Sequence, residues 1–313
     1  MGQFSAIEFG NYKGAFWAEY DSSFEQNYAA KVANIFADVY GEDAILATVG
    51  GVRPISEWRG ERDTHTPVGY KQTISSRVFE DNITIPIESY KRSGPALWEP
   101  KVREMARMFS DHWQDLCVEV LLGSTLGFDG LALFSASHVG GSNLLTNSDV
   151  ATLDVTTAAA PTAEEMATAL IDVSFYMQTL KNEQDVLVNK NAQRFLMLSS
   201  NPKLLASAKR AINADQLAQG ASSPLAGLVK EGFGFEAVLD ASLGSATSAV
   251  FYLLRTDSES KAIILMDEFP IESQELGAGT DFATLHNKYF YGMKAVRGAG
   301  VGTWQRVVKC TLS

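Results

Sequence analysis

Hydrophobic and polar positions along this chain follow two different periods, and the change from one to the other divides it. Trp98, Val102, Met105, Phe109, Trp113, Leu116 and Val120 recur at spacings of three and four, which puts them on one face of a helix running from Trp98 to Leu122. Pro100 falls in the first turn, where a missing N–H costs little, and Gly123 supplies the stop. Such a helix is about 37 Å long at 1.5 Å per residue, enough to act as a structural spine. Just before it, from Ile55 to Ser89, the period is two, ending in the alternation Ile83-Thr84-Ile85-Pro86-Ile87, with Pro67 and Gly69 as turn signals. This pattern predicts a long, open β-hairpin with limbs of about 50 Å, and an arm of that reach touches a neighbouring molecule. Pro86, unable to donate to a ladder, belongs on an edge strand or bulge.

The remaining segments are shorter. Residues 1 to 50 mix aromatics (Phe4, Phe9, Tyr12, Phe16, Trp17, Tyr20, Phe24, Tyr28) with small polar residues, a composition expected to dock on something. Ala29 to Tyr40 is read as a short amphipathic helix, with Val32, Ile35, Phe36 and Val39 on one face and Gly41 as its stop. Beyond the spine come Asp129 to Phe134 and His138, and then a Ser/Thr/Ala/Asn-rich stretch to Pro161 that reads as an exposed connection. Thr162 with Glu165 then makes a capping box opening a helix to Leu180. Strands are expected at Asp185–Val188, Arg194–Leu198, Phe235–Leu239, Ala249–Arg255 and Ala262–Met266, a helix after Asn201-Pro202, and a loop from Gly220 to Gly227. His286 to Cys310 is again strand-like, with Gly298, Gly300 and Gly302 marking a bend. The fold class is α+β.

Charge narrows the function. With 37 acids against 26 bases and a net charge of −11, the chain lacks the basic surface that gripping nucleic acid requires. No apolar run approaches the length needed to cross a bilayer. The start lacks a basic-then-apolar leader, and Ala6 stands where a myristoylation signal wants Ser or Thr, so neither secretion nor lipid anchoring is expected. Cys117 and Cys310 are too few for a disulfide framework. Residues 1 to 50 hold seven acids and two bases, whereas residues 53 to 94 hold six acids and seven bases, among them Arg53, Arg59, Arg62, Lys71, Arg77, Lys91 and Arg92. An acidic segment thus precedes a slightly basic one, a pattern that suits ordinary solvated surface as well as complementary contacts.

Ser56-Glu57-Trp58-Arg59-Gly60, Tyr70 through Phe79-Glu80 to Ile83 and Ile85, the long helix, and Asp129-Gly130 with Phe134 and His138 occur in an order and spacing that resembles the major capsid protein of Mu-like bacteriophages, which has the HK97 fold. Leu187-Val188, Leu196 to Ala211 and the ending Gly300 to Trp304 extend the resemblance, which covers roughly residue 50 to the end. It implies an N-terminal arm (1–52), an extended loop or E-loop (53–94), a peripheral domain with the spine helix (95–185, spine about 96–123), an axial domain (186–284) and a return to the peripheral domain (285–313). It further implies a structural, non-enzymatic subunit forming pentamers and hexamers of an icosahedral virion shell around double-stranded DNA, assembled in the host bacterial cytoplasm. No cofactor or metal is implied. The implied partners are other copies of itself, a portal, an optional decoration protein and a separate scaffolding protein, because some relatives carry a scaffolding segment of about a hundred residues ahead of the arm. Trp58, Arg59, Arg62, Lys71 and Arg77 are the expected intersubunit contacts of the E-loop, and Trp98, Phe109, Trp113, Asp129, Gly130, Phe134 and His138 the structural residues.

Two other classes are compatible with the sequence. An encapsulin-like compartment shares this fold and holds a cargo enzyme. A hydrolase finds little support, since His65, His112, His138 and His286 are scattered and no HExxH, GxSxG, Walker-type loop or CxxC occurs. Asp111, His112 and Asp115 sit within one helical turn, in a pattern that suits a metal or an acid–base pair but is more often a solvated helix face. His138 is expected to tie down the turn after Phe134. Gly298-Ala299-Gly300-Val301-Gly302 looks like a phosphate loop, yet a strand rather than a helix follows it.

Overall fold

The computed structural model describes residues 6–37, 43–49, 57, 60, 69–141, 143–148, 154–213 and 224–313. The helices are α1 (Ala6–Glu25), α2 (Ala29–Val32), α3 (Ile87–Ser93), α4 (Glu99–Leu122), α5 (Ala163–Thr179), α6 (Pro202–Asn213), α7 (Pro224–Lys230) and α8 (Asp281–His286). The strands are β1 (Ala33–Ala37), β2 (Asp43–Val49), β3 (Gly69–Ser75), β4 (Arg77–Pro86), β5 (His138–Gly140), β6 (Asn143–Leu145), β7 (Arg194–Ser199), β8 (Gly234–Leu239), β9 (Val250–Arg255), β10 (Ile263–Leu276), β11 (Lys288–Val301) and β12 (Val307–Thr311).

Helix α4 is the predicted spine, and its apolar stripe joins two cores. Val102, Met105 and Phe109, on its N-terminal half, pack with Tyr12 and Phe16 of α1 and with Tyr289, Tyr291 and Met293 of β11. Trp113, Leu116, Cys117, Val120 and Leu121, on its C-terminal half, pack with α5 and with β7 and β9. Burying each such side chain stabilises the fold by roughly 1.5–3 kcal/mol, so the helix is fixed by its neighbours more than by its own propensity. The first sheet has the order β1-β10-β11-β4 and lies against α4; the second has the order β12-β9-β7-β8, with α5 and α6 packed together beside it. Strands β7 and β8 are parallel, joined through α6 and α7, whereas β9 and β12 run antiparallel to their neighbours.

The capping box opens α5 as expected: Glu165 N donates to Thr162 Oγ1 at 3.3 Å and Thr162 N donates to Glu165 Oε2 at 2.8 Å. The Thr156 hydroxyl and N–H also donate to Glu165 Oε1. These bonds to its charged form hold the Glu165 carboxyl down at about 2.

Several expectations need correction. The aromatic-rich first segment is a helix, α1, docked along α4 of its own chain. Its aromatics at 12, 16, 20 and 24 stand on one face, with Phe16 and Tyr20 stacked at 6.2 Å and Tyr20 and Phe24 at 6.0 Å. The helix read over Ala29–Tyr40 ends at Val32, because Ala33–Ala37 pair in parallel with Ile263–Asp267 and sheet pairing overrides a short helical pattern. The hairpin pairs Asp43–Val49 with Gly69–Ser75, so its first limb lies before residue 53. The alternation at 77–86 belongs instead to β4, which pairs with β11 in the first sheet. A period of two marks a strand without naming its partner. Within the expected axial segment, β10 joins the first sheet; within the expected return, β12 joins the second. Residues 182–186 form a turn closed by a single bridge between Lys181 and Leu187, and α7 occupies the end of the loop expected at 220–227.

Candidate assembly surfaces and the hairpin root

Strands β2 and β3 pair with each other and, among the described residues, belong to neither four-stranded sheet. Alternation along β3 turns Lys71, Thr73 and Ser75 outward, where they are exposed, and Tyr70, Gln72 and Ile74 inward. Ile74 is 2% exposed and packs on Met266 of β10. It lies over Gly298 and Gly300: a Cβ at Gly298 would come within 3.2 Å of Ile74 Cγ2, and one at Gly300 within 2.7 Å of Ile74 Cγ1. These glycines are therefore not a bend. They keep β11 bare where β3 crosses it, and the chain turns afterwards, at Gly302, whose N–H donates to the Ala262 carbonyl at 2.8 Å.

Gln72 Nε2 donates to the Leu126 carbonyl at 3.3 Å, and Tyr70 donates its hydroxyl proton to Glu183 Oε2 at 2.9 Å while its ring lies 5.4 Å from that of Phe128. Burial and the Glu183 carboxylate both push the Tyr70 hydroxyl above its ordinary value. The turn carrying Leu126 and Phe128 is closed by Gly127 N donating to the Leu131 carbonyl at 2.7 Å, with Gly130 at φ 74°, a conformation suited to glycine. Asp129 Oδ1 accepts from Leu131 N, and its Oδ2 lies 2.6 Å from His138 Nδ1. The other ring nitrogen of His138 lies 3.2 Å from the Leu133 carbonyl, and the buried ring stacks on Trp304 at 4.2 Å. Phe134 packs on Tyr252 at 5.4 Å. Asp129, Gly130 and His138 thus meet in one fastening, and Phe134 packs apart from it on Tyr252.

A second junction was not legible in the sequence. Arg297 of β11 is fully buried where α1, α4 and the first sheet meet. Its guanidinium donates to the Phe109 carbonyl at 2.8 Å, to His112 Nδ1 at 3.1 Å and to the Tyr20 hydroxyl at 3.3 Å, and lies 3.9 Å over the Trp113 ring. The Trp113 indole N–H also donates to the Tyr20 hydroxyl at 2.9 Å. The signal available was a lone charge in register with Tyr289, Tyr291, Met293 and Ala295, all inward-facing positions of one strand.

No protein-family model and no curated protein sequence matches the chain. Solved structures do. The chain superposes on the procapsid of bacteriophage JBD30 over 99% of its own length and 76% of that chain, with a TM-score of 0.53 at 14% identity. The capsid of cyanophage P-SCSP1u matches over 90% and 86% with a TM-score of 0.55 at 15% identity. A virus-like particle from Pyrococcus furiosus matches over 95% and 96% with a TM-score of 0.51 at 10% identity. The chain has the HK97-like capsid fold.

Within the HK97-like fold, the expected E-loop contacts fall into two groups. Trp58, Arg59 and Arg62 lie outside the described residues. Lys71 faces outward from β3, and Arg77 is engaged within its own chain, paired with Glu119 of the spine at 2.5 Å and lying 5.4 Å over the Phe79 ring. Both partners are about half exposed, so that pair is worth roughly 0–1 kcal/mol. Glu19 of α1 likewise pairs within the chain, with Arg107 at 2.6 Å and Arg103 at 3.8 Å. Trp98 caps the spine at its N-terminus, half-buried against the first core, while Phe109 and Trp113 are fully inside. Asp111 and Asp115 are exposed. His112 is pressed against Phe79 at 4.1 Å, and burial together with Arg297 and Arg77 pushes its imidazole down to about 4. A neutral ring accepting from Arg297 is a packing element of the spine. Both cysteines are buried, with Cys117 pushed above its ordinary range by burial.

Proposed function

We propose that the chain is the major capsid protein of a Mu-like bacteriophage, a structural and non-enzymatic subunit that builds pentamers and hexamers of an icosahedral head enclosing double-stranded DNA. The observation that carries this reading is a paired hairpin anchored at its root, set apart from both sheets of an HK97-like body. Such a hairpin adds little to its own subunit's core, which suits a contact with the next copy. We assign α1 as the arm lying on the spine, the paired strands β2 and β3 as the root of the E-loop, the first sheet with α4 as a peripheral unit, and the second sheet with α5 to α7 as an axial unit.

Trp58, Arg59, Arg62 and Lys71 are assigned to the contact with a neighbour, with Arg77 stiffening the hairpin's exit. A separate scaffolding protein, a portal and an optional decoration protein complete the assembly in the host cytoplasm, and the virion is the final location. The acidic balance fits a container whose wall must let DNA slide, because each lysine–phosphate contact adds salt-dependent affinity.

An encapsulin-like compartment is the second reading, since the Pyrococcus furiosus particle matches about as well as the phage capsids do. Particles recovered from the producing cells and treated with nuclease separate the two. Protected double-stranded DNA of uniform length supports the phage head; a single cargo protein and no nucleic acid overturns it in favour of the compartment.

A further inference from the structure

Resting on the shell reading, we propose that Tyr70, Gln72 and Ile74 form a three-point seat that sets the direction in which the hairpin leaves the subunit, and thereby the curvature of the shell. An isolated two-stranded hairpin is only marginally stable, so its direction comes from what it rests upon. Here it rests on three separate supports. Ile74 lies on the bare stretch of β11 at Gly298 and Gly300, Gln72 donates to the Leu126 carbonyl, and Tyr70 reaches Phe128 and Glu183.

Each support is itself stiff. The turn bearing Leu126 and Phe128 is fastened by the Asp129–His138 contact and the Trp304 stack. Glu183 sits on a turn in which Asn182 Oδ1 accepts from Gln184 N at 3.0 Å and Val186 N at 2.9 Å, with Lys181 and Asp185 paired at 2.8 Å across it. From Tyr70 to Ile74 the seat spans about 13 Å at ~3.3 Å per residue, so lifting one end by about 2 Å tilts the hairpin by roughly 9°. A tilt repeated at every subunit contact changes how many subunits close a shell, because closure fixes the rotation between neighbours. Tyr70, Gln72 and Ile74 are positioning residues for assembly, and the Asp129–His138 fastening acts through them.

The test uses the full chain. Gly300→Ala places a methyl against Ile74 and lifts that end of the seat, while adding Ile74→Val removes Cδ1, the nearer of the two side-chain atoms the new methyl meets, and leaves the γ carbon to shift. Hydrogen exchange of the dispersed chain is expected to show amides 70–75 losing about tenfold in protection in Gly300→Ala, with α4 and β7 unchanged, and regaining part of it in the double variant. Shells assembled from Gly300→Ala should differ in diameter from wild type, and those from the double variant should move back towards it. Tyr70→Phe, which keeps the ring and loses the hydrogen bond to Glu183, provides a gentler variant with severalfold lower protection. Wild-type protection and diameter in Gly300→Ala, or no recovery at all on adding Ile74→Val, overturns the seat. A wild-type chain that never forms shells instead overturns the capsid reading, and the exchange measurement on the dispersed subunit still decides whether the seat exists.

Discussion

Replacing Arg297 by alanine probes the junction that holds α1 to α4 and the first sheet. The side chain is fully buried and contacts Phe109, His112, Tyr20 and Trp113 at once. Truncating a large buried side chain costs about 3–5 kcal/mol through lost contacts and the cavity left behind. Leaving His112 Nδ1 without its donor adds about 1–3 kcal/mol, whereas the Tyr20 hydroxyl keeps its bond from Trp113. Against this stands relief from burying a guanidinium, a desolvation cost of several kcal/mol that already pulls its pKa down. The net expectation for Arg297→Ala is a loss of about 3–4 kcal/mol. Arg297→Met refills most of the space without a charge and should cost about 0–2 kcal/mol. Urea unfolding of the dispersed subunit, followed by tryptophan fluorescence, measures both, and hydrogen exchange in α1 reports whether the arm loosens first. A loss below about 1 kcal/mol for Arg297→Ala, or equal losses for both variants, would refute the idea that shape and charge at this junction are separable contributions.

Other expectations can be checked with the same preparations. His112 has a folded pKa of about 4 against an ordinary 6.5, so the unfolded chain takes up a proton that the folded chain refuses; stability should fall as pH drops from about 6.5 to 4, and His112→Leu should lose that slope in pH-dependent urea titrations. Glu165, held at about 2 against an ordinary 4.5, contributes stability that is present above about 4.5 and lost as pH falls towards 2; Glu165→Gln should flatten that acid limb, and Thr162→Ala should cost about 1 kcal/mol in urea unfolding. His138→Phe keeps the stack on Trp304 but loses both polar contacts of the ring, and should cost about 1–3 kcal/mol and lower hydrogen-exchange protection at residues 126–134 before other regions.

Where one helix carries a complete apolar stripe or its own cap, the sequence was readable: the spine from Trp98 to Leu122 and the Thr162–Glu165 start of α5 stand where their patterns put them. Helix α1 was hidden because Gly10 and Gly14 and the polar residues between its aromatics dilute the pattern, although the four-residue spacing of Tyr12, Phe16, Tyr20 and Phe24 was there to see. The run Ala44 to Val49 is apolar enough for a strand, but nothing local says that its partner is Gly69–Ser75 rather than the next alternating stretch. Partner choice is a property of the whole sheet. The glycines at 298 and 300 suggest a bend in the sequence, whereas their use is the absence of a side chain where Ile74 crosses. At the fastening, Asp129, Gly130, Phe134 and His138 were singled out through a resemblance. Their partners Leu133, Trp304 and Tyr252 come from distant parts of the chain, which spacing cannot reveal.

The central claim is that this chain builds a closed shell from copies of itself. Electron microscopy of the purified chain, concentrated alone and with a candidate scaffolding protein from the same source, tests it most directly. The account predicts rings of five and six and closed icosahedral particles, with the hairpin of each subunit lying against the next. A monodisperse monomer at high concentration, with the candidate scaffolding protein supplied, would contradict it.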